Sequence, residues 1–139
     1  MREATKGELS KKNPYYIPKY RYYELKYRCL QYKEWEREYK ELGLYLKSID
    51  NTKDRVNEGK IPDPVVMALI ERSEFEYKMS DIDKALGAIP FLLIDPIKFA
   101  VTNGVGWEKV QALFSLTCTR DEYYNAYHKF FFMLNKYVK

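Results

Sequence analysis

Residues 81–110 constrain the fold more than any other part of this 139-residue chain. The first apolar side chains of the segment recur at the three- and four-residue spacing of one helical face and run into Pro90. A second apolar stretch ends at Asn103 and Gly104, where glycine is a typical helix terminator. Trp107 then opens another run. The spacing therefore predicts short helices in close succession, as at the start of a helix-turn-helix domain.

Helical spacing extends over most of the chain. Apolar residues recur in this way from residue 19 to residue 47, with a break expected at 31–33. No stretch alternates between apolar and polar residues as a half-buried strand does. We therefore expect an all-α fold: a helical bundle with a C-terminal helix-turn-helix unit and an N-terminal helical arm.

Start signals divide the second half of the chain into helices. Asp63 and Pro64 predict the start of one helix, and Ser80 followed by Asp83 is typical of a cap that starts a fresh one. The first of these helices carries one stripe of apolar or small residues: Val66, Ile70, Ser73 and Tyr77.

The last helix has the clearest sequence signals. Thr119 and Glu122 have the spacing of a capping box, in which each side chain bonds to the other residue's backbone. Helices are expected at about 91–103, 107–114 and 119–137. The last one carries a continuous apolar stripe: Tyr123, Tyr127, Phe130, Leu134 and Tyr137.

These signals divide the chain into three segments. Residues 1–47 form a basic, aromatic-rich N-terminal helical arm, 48–62 a polar linker, and 63–139 a helical unit of helix-turn-helix type. The interleaved tyrosines and cations of the arm have two interpretations: they stack on nucleic-acid bases, or they bury their rings in a core. We favour the second and expect the arm to pack on the C-terminal unit. Three outward cations of the arm are predicted as further DNA-binding residues: Arg21, Lys26 and Arg28.

Charge is distributed unevenly along the chain. Residues 1–33 hold nine Lys or Arg against three Glu, a net +6, so the remaining residues sum to −2 within the total of +4. A basic segment attracts polyanions through release of counterions from phosphates. The alternative is a solvated helix face, which charge alone favours.

Composition excludes several classes of protein. No run of 18 apolar residues is present, so a transmembrane span is not expected. Two cysteines and one histidine do not build a metal site or a convincing catalytic centre, so we expect no enzyme, no metal and no cofactor. The first residues lack the apolar core of a secretory signal, and we expect reduced thiols at Cys29 and Cys118 in a cytosol.

The predicted helix-turn-helix offers a nucleic-acid site. Residues 107–114 would be the support helix and 115–118 the turn, so the helix from Thr119 onward would enter the major groove of double-stranded DNA. Arginine can bind guanine and asparagine can bind adenine through two hydrogen bonds each, whereas lysines are better placed for phosphates. The predicted DNA-binding residues on this helix are Arg120, Tyr124, Asn125, His128, Lys129 and Lys136.

A protein-binding module is the alternative from another class. Three-helix units of this shape are common scaffolds for protein contacts. Asp121 and Glu122 stand at the tip that would face phosphate, and the helix from Thr119 carries a net charge of only +2. Phe132 on the polar side of this helix is expected to pack on the arm or on a second chain.

The segment 82–110 resembles the promoter-recognising C-terminal domain of sigma factors. The similarity rests on Ile-Asp-Lys-Ala-Leu-Gly-Ala-Ile-Pro at 82–90, Asn-Gly at 103–104 and Trp-Glu-Lys-Val at 107–110. Gln111 and Ser115 depart from the small residue and the turn glycine of that family. The resemblance implies a helix-turn-helix that binds promoter DNA.

The chain as a whole resembles small proteins of phages and prophages of Gram-positive bacteria. This similarity lies at its two ends, in residues 12–26, 29–32 and Trp35, and in 123–124 and 127–131. It implies a sigma-like regulator of phage transcription in the host cytoplasm. The basic arm would then add affinity or homodimer contacts. In the alternative, the chain binds RNA polymerase, packaging machinery or a host defence complex.

Overall fold

The computed structural model describes residues 11–49 and 63–139, and over these ranges the chain is all-α, as expected. No strand occurs within them. No helix in these two ranges is both long enough and apolar enough to span a bilayer. The helices are α1 (Lys19–Leu30), α2 (Tyr32–Ile49), α3 (Pro64–Leu86), α4 (Phe91–Asn103), α5 (Trp107–Phe114) and α6 (Arg120–Tyr137).

Most helix boundaries agree with the sequence pattern. The break expected at 31–33 is confirmed at Gln31, which separates α1 from α2, and α4, α5 and α6 occupy the expected ranges. The fresh helix expected at Ser80 is wrong, because α3 continues through this residue. The Ser80 hydroxyl donates to the Tyr77 carbonyl at 2.9 Å, so it bonds within the preceding turn and does not cap a new helix.

The chain divides into two compact units. Of the described residues, unit 1 comprises 11–31 and 81–139, and unit 2 comprises 32–49 and 63–80, so the boundary falls at Gln31 and within α3. The domain boundaries expected from the sequence stay a prediction. Most of the expected linker, residues 50–62, lies outside the described residues, and its first two residues, Ser48 and Ile49, belong to α2.

Unit 1 has a core of aromatic side chains. The expected packing of the arm on the C-terminal unit is confirmed for α1, which packs on α4 and α6, while α4 also packs on α5. The stripe expected on the last helix is buried except at Tyr137, which is half-buried. The largest fully buried side chains of this core are Tyr22, Tyr123, Phe130, Leu25, Ile82, Ile97 and Leu134.

Two buried tyrosines join α1 to α6. The hydroxyls of Tyr22 and Tyr127 share a hydrogen bond of 2.8 Å, and the Tyr22 ring packs edge-on against Phe131. Burial raises the pKa of Tyr22 to about 12, so both hydroxyls keep their protons at neutral pH. The arm therefore places its most buried tyrosine in the core, while Tyr20 and Tyr27 remain exposed.

Unit 2 is built from α2 and the part of α3 before residue 81. The Arg72 guanidinium lies 4.0 Å from the centre of the Tyr39 ring, and its Nε donates to the Tyr39 carbonyl at 3.3 Å. A Cβ at Gly43 would lie 2.9 Å from Arg72 Nη2, so glycine permits this close approach. Farther along α3, the Lys78 ammonium lies 5.7 Å from the centre of the Trp35 ring.

The stripe expected on α3 faces solvent. Val66, Ile70 and Tyr77 are all exposed, as is Ser73 between them. The buried residues of α3 in unit 2 are Ala68 and Met79, which lie on the opposite side of the helix at 100° per residue. This part of α3 is therefore apolar on two faces, of which only one is covered.

Candidate nucleic-acid interface

A tight connection joins α5 to α6. Ser115 ends α5 in the left-handed region, at φ 51°, and its N–H donates to the Gln111 carbonyl at 2.9 Å. A residue other than glycine rarely adopts this conformation, which reverses the chain direction and satisfies the end of the helix. Three residues then lead to Thr119, the N-cap of α6.

The predicted capping box at the start of α6 is confirmed. The Glu122 N–H donates to the Thr119 hydroxyl at 3.1 Å, and the Thr119 N–H donates to the Glu122 carboxylate at 2.8 Å. These two bonds satisfy backbone groups that a helix start otherwise leaves open. They also fix the Glu122 side chain against its own helix.

The front of α6 is open to solvent. Arg120, Asp121 and Glu122 are exposed in the first turn, and Asn125 is exposed in the second. The helix reaches the core only through the face that begins with Tyr123 and Ala126. The four exposed side chains of these two turns are therefore accessible to a ligand.

Arg120 lines a surface hollow of about 440 Å³ beside the start of α5. Trp107, Glu108 and Lys109 line the same hollow, together with Tyr124, and the Arg120 guanidinium lies 5.6 Å from the centre of the Tyr124 ring. Gly106, the N-cap of α5, has no side chain to accept from the first N–H groups of that helix. Two cations and an open helix start thus surround the hollow, with one carboxylate beside them.

Tyr124 and His128 belong to an aromatic cluster on α6. Both are half-buried, and the His128 ring centre lies 6.2 Å from that of Tyr124 and 5.7 Å from that of Tyr127. Burial lowers the pKa of His128 to about 4. The imidazole is therefore neutral at pH 7 and brings no positive charge to this surface.

The two predicted lysines of α6 lie farther along the helix. Lys129 is half-buried and Lys136 is exposed, with its ammonium 4.7 Å from the centre of the Phe132 ring. Phe132 also contacts Tyr15, at 5.6 Å between ring centres. Phe132 was expected to pack on the arm or on a second chain, and its contact with Tyr15 belongs to the arm.

The three arm cations do not point outward as a set, and that expectation is wrong for Arg21 and Arg28. Arg21 Nε donates to Asn135 Oδ1 at 2.7 Å and its Nη2 donates to the Val138 carbonyl at 2.6 Å, at the end of α6 opposite Arg120. A cation here is stabilised by the negative end of the helix dipole.

Arg28 is held by a buried acid. Its Nη2 lies 3.7 Å from Asp81 Oδ2, and only 5% of the Asp81 side chain is exposed. A buried carboxylate is stable only when it is paired, so Asp81 draws the guanidinium inward. Lys26, the third cation, is half-buried beside a small hollow that Leu30 and Phe131 also line.

A second hollow lies on the other side of the front of α6. It has a volume of about 350 Å³ and is lined mainly by apolar side chains, among them Leu92, Leu93 and Leu116, with Asn125 at its edge. Phe91 and Leu92 at the start of α4 are 84% and 79% exposed. Arg120 and Asn125 therefore border different hollows, one cationic and one apolar.

Sequence reasoning missed Lys109, Phe91 and Leu92. Lys109 lies in the first turn of the support helix, beside Arg120 of the next helix. The sequence pattern of a single helix does not show which residues of another helix lie next to it. Phe91 and Leu92 follow Pro90 in the most apolar stretch of the chain, where burial is the usual expectation. A signal was present in their position before the buried Leu93, because consecutive apolar residues at a helix start cannot all face one side.

Among the described residues, no three His, Cys, Asp or Glu side chains lie close enough together to bind a metal ion. No protein-family model, curated protein or solved structure matches this chain.

Proposed function

We propose that this chain is a DNA-binding transcription regulator of phage origin that acts in the host cytoplasm. In this proposal α5 and α6 form a helix-turn-helix similar to that of sigma factors. α5 supports the motif, and α6 enters the major groove of double-stranded DNA with its first two turns.

The exposed front of α6 is the observation that carries the proposal. A recognition helix reads base edges with residues near its N-terminus, so these must be free of the protein's own core. Arg120 and Asn125 meet this condition. Arginine pairs with guanine and asparagine with adenine through two hydrogen bonds, which gives each residue a defined role in base recognition.

The hollow beside Arg120 supports a phosphate contact. Lys109 and Arg120 place two positive charges around it, and the start of α5 adds the positive end of a helix dipole. Glu108 offsets one of these charges. Lys129 and Lys136 would meet phosphates farther along α6, whereas Arg21 and Arg28 are engaged within unit 1 and are not part of the proposed interface.

The two acids at the front of α6 reduce the attraction to phosphate. The Glu122 carboxylate accepts a hydrogen bond from the Thr119 N–H, which partly compensates its negative charge. Asp121 is exposed and would have to face the groove or a cytosine amino group. The proposal therefore predicts sequence-dependent binding of modest affinity that falls with added salt.

Fluorescence anisotropy with labelled host and phage promoter fragments tests base recognition. Arg120→Ala and Asn125→Ala should each weaken binding to the preferred fragment by about 1–3 kcal/mol and reduce its advantage over a scrambled duplex. Lys84→Ala is the matched control: it removes an exposed cation near Tyr137, at the far end of α6. Equal affinity of wild type and both variants would contradict the assignment.

The apolar hollow favours a second candidate, a protein-binding module. Leu92 exposes a large apolar side chain in the hollow that Leu116 also lines, and the neighbouring Phe91 is 84% exposed, a pattern typical of protein contact sites. RNA polymerase, packaging machinery and a host defence complex are the partners that fit the phage resemblance. Leu92→Ser separates the two functions because it removes the apolar side chain without adding a charge beside Asn125. It should leave DNA affinity unchanged if α6 binds DNA. If only this hollow is used, the wild-type protein should show no salt-dependent retention on heparin.

A further inference from the structure

The exposed face of α3 in unit 2 is independent of the proposed DNA interface. It consists of the stripe Val66, Ile70, Ser73 and Tyr77, flanked by Met67 and Leu69, and is called the α3 face below. Its apolar side chains are between 48% (Val66) and 61% (Tyr77) exposed. We propose that the α3 face binds the same face of a second copy of this chain, with the two α3 helices antiparallel.

The spacing of the stripe suits helix–helix packing. Its residues follow one another at intervals of four, three and four, which is the seam of a two-stranded coiled coil. Ala68 and Met79, which are buried, lie on the opposite side of the helix. One face of α3 is therefore buried within unit 2, and the opposite face is exposed and can pack on another helix.

The area of the α3 face fits a weak dimer. A large apolar residue presents roughly 150–230 Å² when fully exposed, so the α3 face offers on the order of 500 Å² of apolar surface per chain. Two copies would bury at most about 1,000 Å², which is the lower limit of a specific interface. We therefore expect a weak dimer whose population depends on concentration.

Side-chain size favours the antiparallel direction. In an antiparallel pair centred between Ile70 and Ser73, the large Tyr77 lies across from the smaller Val66 of the second copy, and Ile70 lies across from Ser73. A parallel pair would place the two Tyr77 rings side by side and leave a gap between the two Ser73 side chains. Alternating large and small residues fill the space between helices best.

Charge favours the same direction. Glu74 and Glu76 are exposed beside the stripe. In a parallel pair the flank that holds Glu74 would face the flank of the second copy that holds Glu76, where like charges repel. In the antiparallel pair each flank faces the same flank of the second copy, so Glu74 lies beside Met67 and Glu76 beside Leu69. Both acids then lie near the start of the other α3 helix, where the positive end of the helix dipole stabilises an acid.

Sedimentation velocity of the full chain, from low micromolar to roughly millimolar concentration, tests the dimer. Wild type should shift with concentration from 16.7 kDa toward twice that mass. Ile70→Lys and Met67→Glu should remain monomeric throughout. Leu44→Lys is the matched control, because Leu44 is a 68% exposed leucine on α2 of the same unit, and this variant should dimerise as wild type does.

Disulfide cross-linking tests the direction, in a Cys118→Ser background that removes the cysteine that is not fully buried. A mixture of Val66→Cys and Tyr77→Cys chains should form mixed disulfides, and neither variant alone should cross-link, since its two cysteines would lie about 16 Å apart along the helix axis. Cross-linking of each variant with itself would contradict the antiparallel direction. A wild type that is monomeric at every concentration, or an Ile70→Lys variant that still dimerises, would overturn the proposal while leaving the proposed DNA binding untouched.

Discussion

α6 in unit 1 and α3 in unit 2 carry similar sequence patterns and have opposite surroundings. Each has apolar residues along one stripe, at positions 123, 127, 130 and 134 in α6 and at 66, 70 and 77 in α3. The stripe of α6 is buried beneath α1 and α4, whereas that of α3 is exposed. The comparison shows that periodicity identifies the apolar face of a helix but does not identify what covers it.

Removal of a large side chain from each stripe should give the largest difference between the two units. Phe130→Ala should lower the free energy of unfolding by about 3–5 kcal/mol because Phe130 is fully buried. Ile70→Ala should lower it by less than about 0.5 kcal/mol at low micromolar concentration because Ile70 is half-exposed.

Each unit holds one of the two tryptophans, Trp35 in unit 2 and Trp107 in unit 1. Urea denaturation followed by the emission of Trp107 in a Trp35→Phe background, and of Trp35 in a Trp107→Phe background, therefore reports on each unit. If Ile70→Ala destabilised unit 2 as strongly as Phe130→Ala destabilises unit 1, the α3 stripe would be part of a core.

The ion pair that holds α1 in unit 1 should have the next largest effect. Arg28→Met keeps the length of the side chain but leaves the buried Asp81 carboxylate without this cation, at a cost of about 3 kcal/mol in the free energy of unfolding. Arg37→Met is the control, since both partners of its pair with Glu34 are exposed. Equal denaturation midpoints for the two variants would show that Arg28 contributes no more than a surface cation.

His128 should contribute a smaller effect than Arg28, and it depends on pH. The folded pKa of about 4 lies below the ordinary value of 6.5, so the unfolded chain binds the proton first as the pH falls. The contribution of His128 to stability is therefore complete above about pH 6.5 and declines between pH 6.5 and 4. Partial exposure limits it to about 1 kcal/mol.

Urea midpoints for wild type and His128→Gln, measured from pH 7.5 to pH 4, check this dependence. The loss of stability toward pH 4 should be smaller in the variant, because the carboxylates titrate in both proteins and the imidazole titrates only in wild type. Parallel pH profiles would show that His128 is not buried in solution.

Local signals allowed much of the fold to be predicted. The break at Gln31, the helices α4 and α5 and the capping box of α6 follow from backbone chemistry within a few residues, which a single sequence contains. Ser80 failed as a start signal because a serine hydroxyl also bonds within a continuous helix, and local sequence does not decide between the two.

The candidate site could be predicted only where it depends on one helix. Arg120 and Asn125 were assigned to the front of α6 from spacing alone, and both are exposed there. Arg21 and Arg28 were expected to point outward because cations usually do, but their partners, Val138 and Asp81, lie far away in sequence. Tertiary contacts of this kind leave no trace in local periodicity.

The salt dependence of DNA affinity tests the central claim, that the front of α6 and the start of α5 bind a duplex. Three lysines are proposed to meet phosphates (Lys109, Lys129 and Lys136), so log K should fall with log salt at a slope of about −3. Lys109→Gln and Lys129→Gln should each reduce the slope by about 1, and Lys84→Gln should leave it unchanged. A wild-type protein that does not bind duplex DNA even at low salt, or a slope that Lys84→Gln reduces as much as Lys109→Gln does, would contradict the claim.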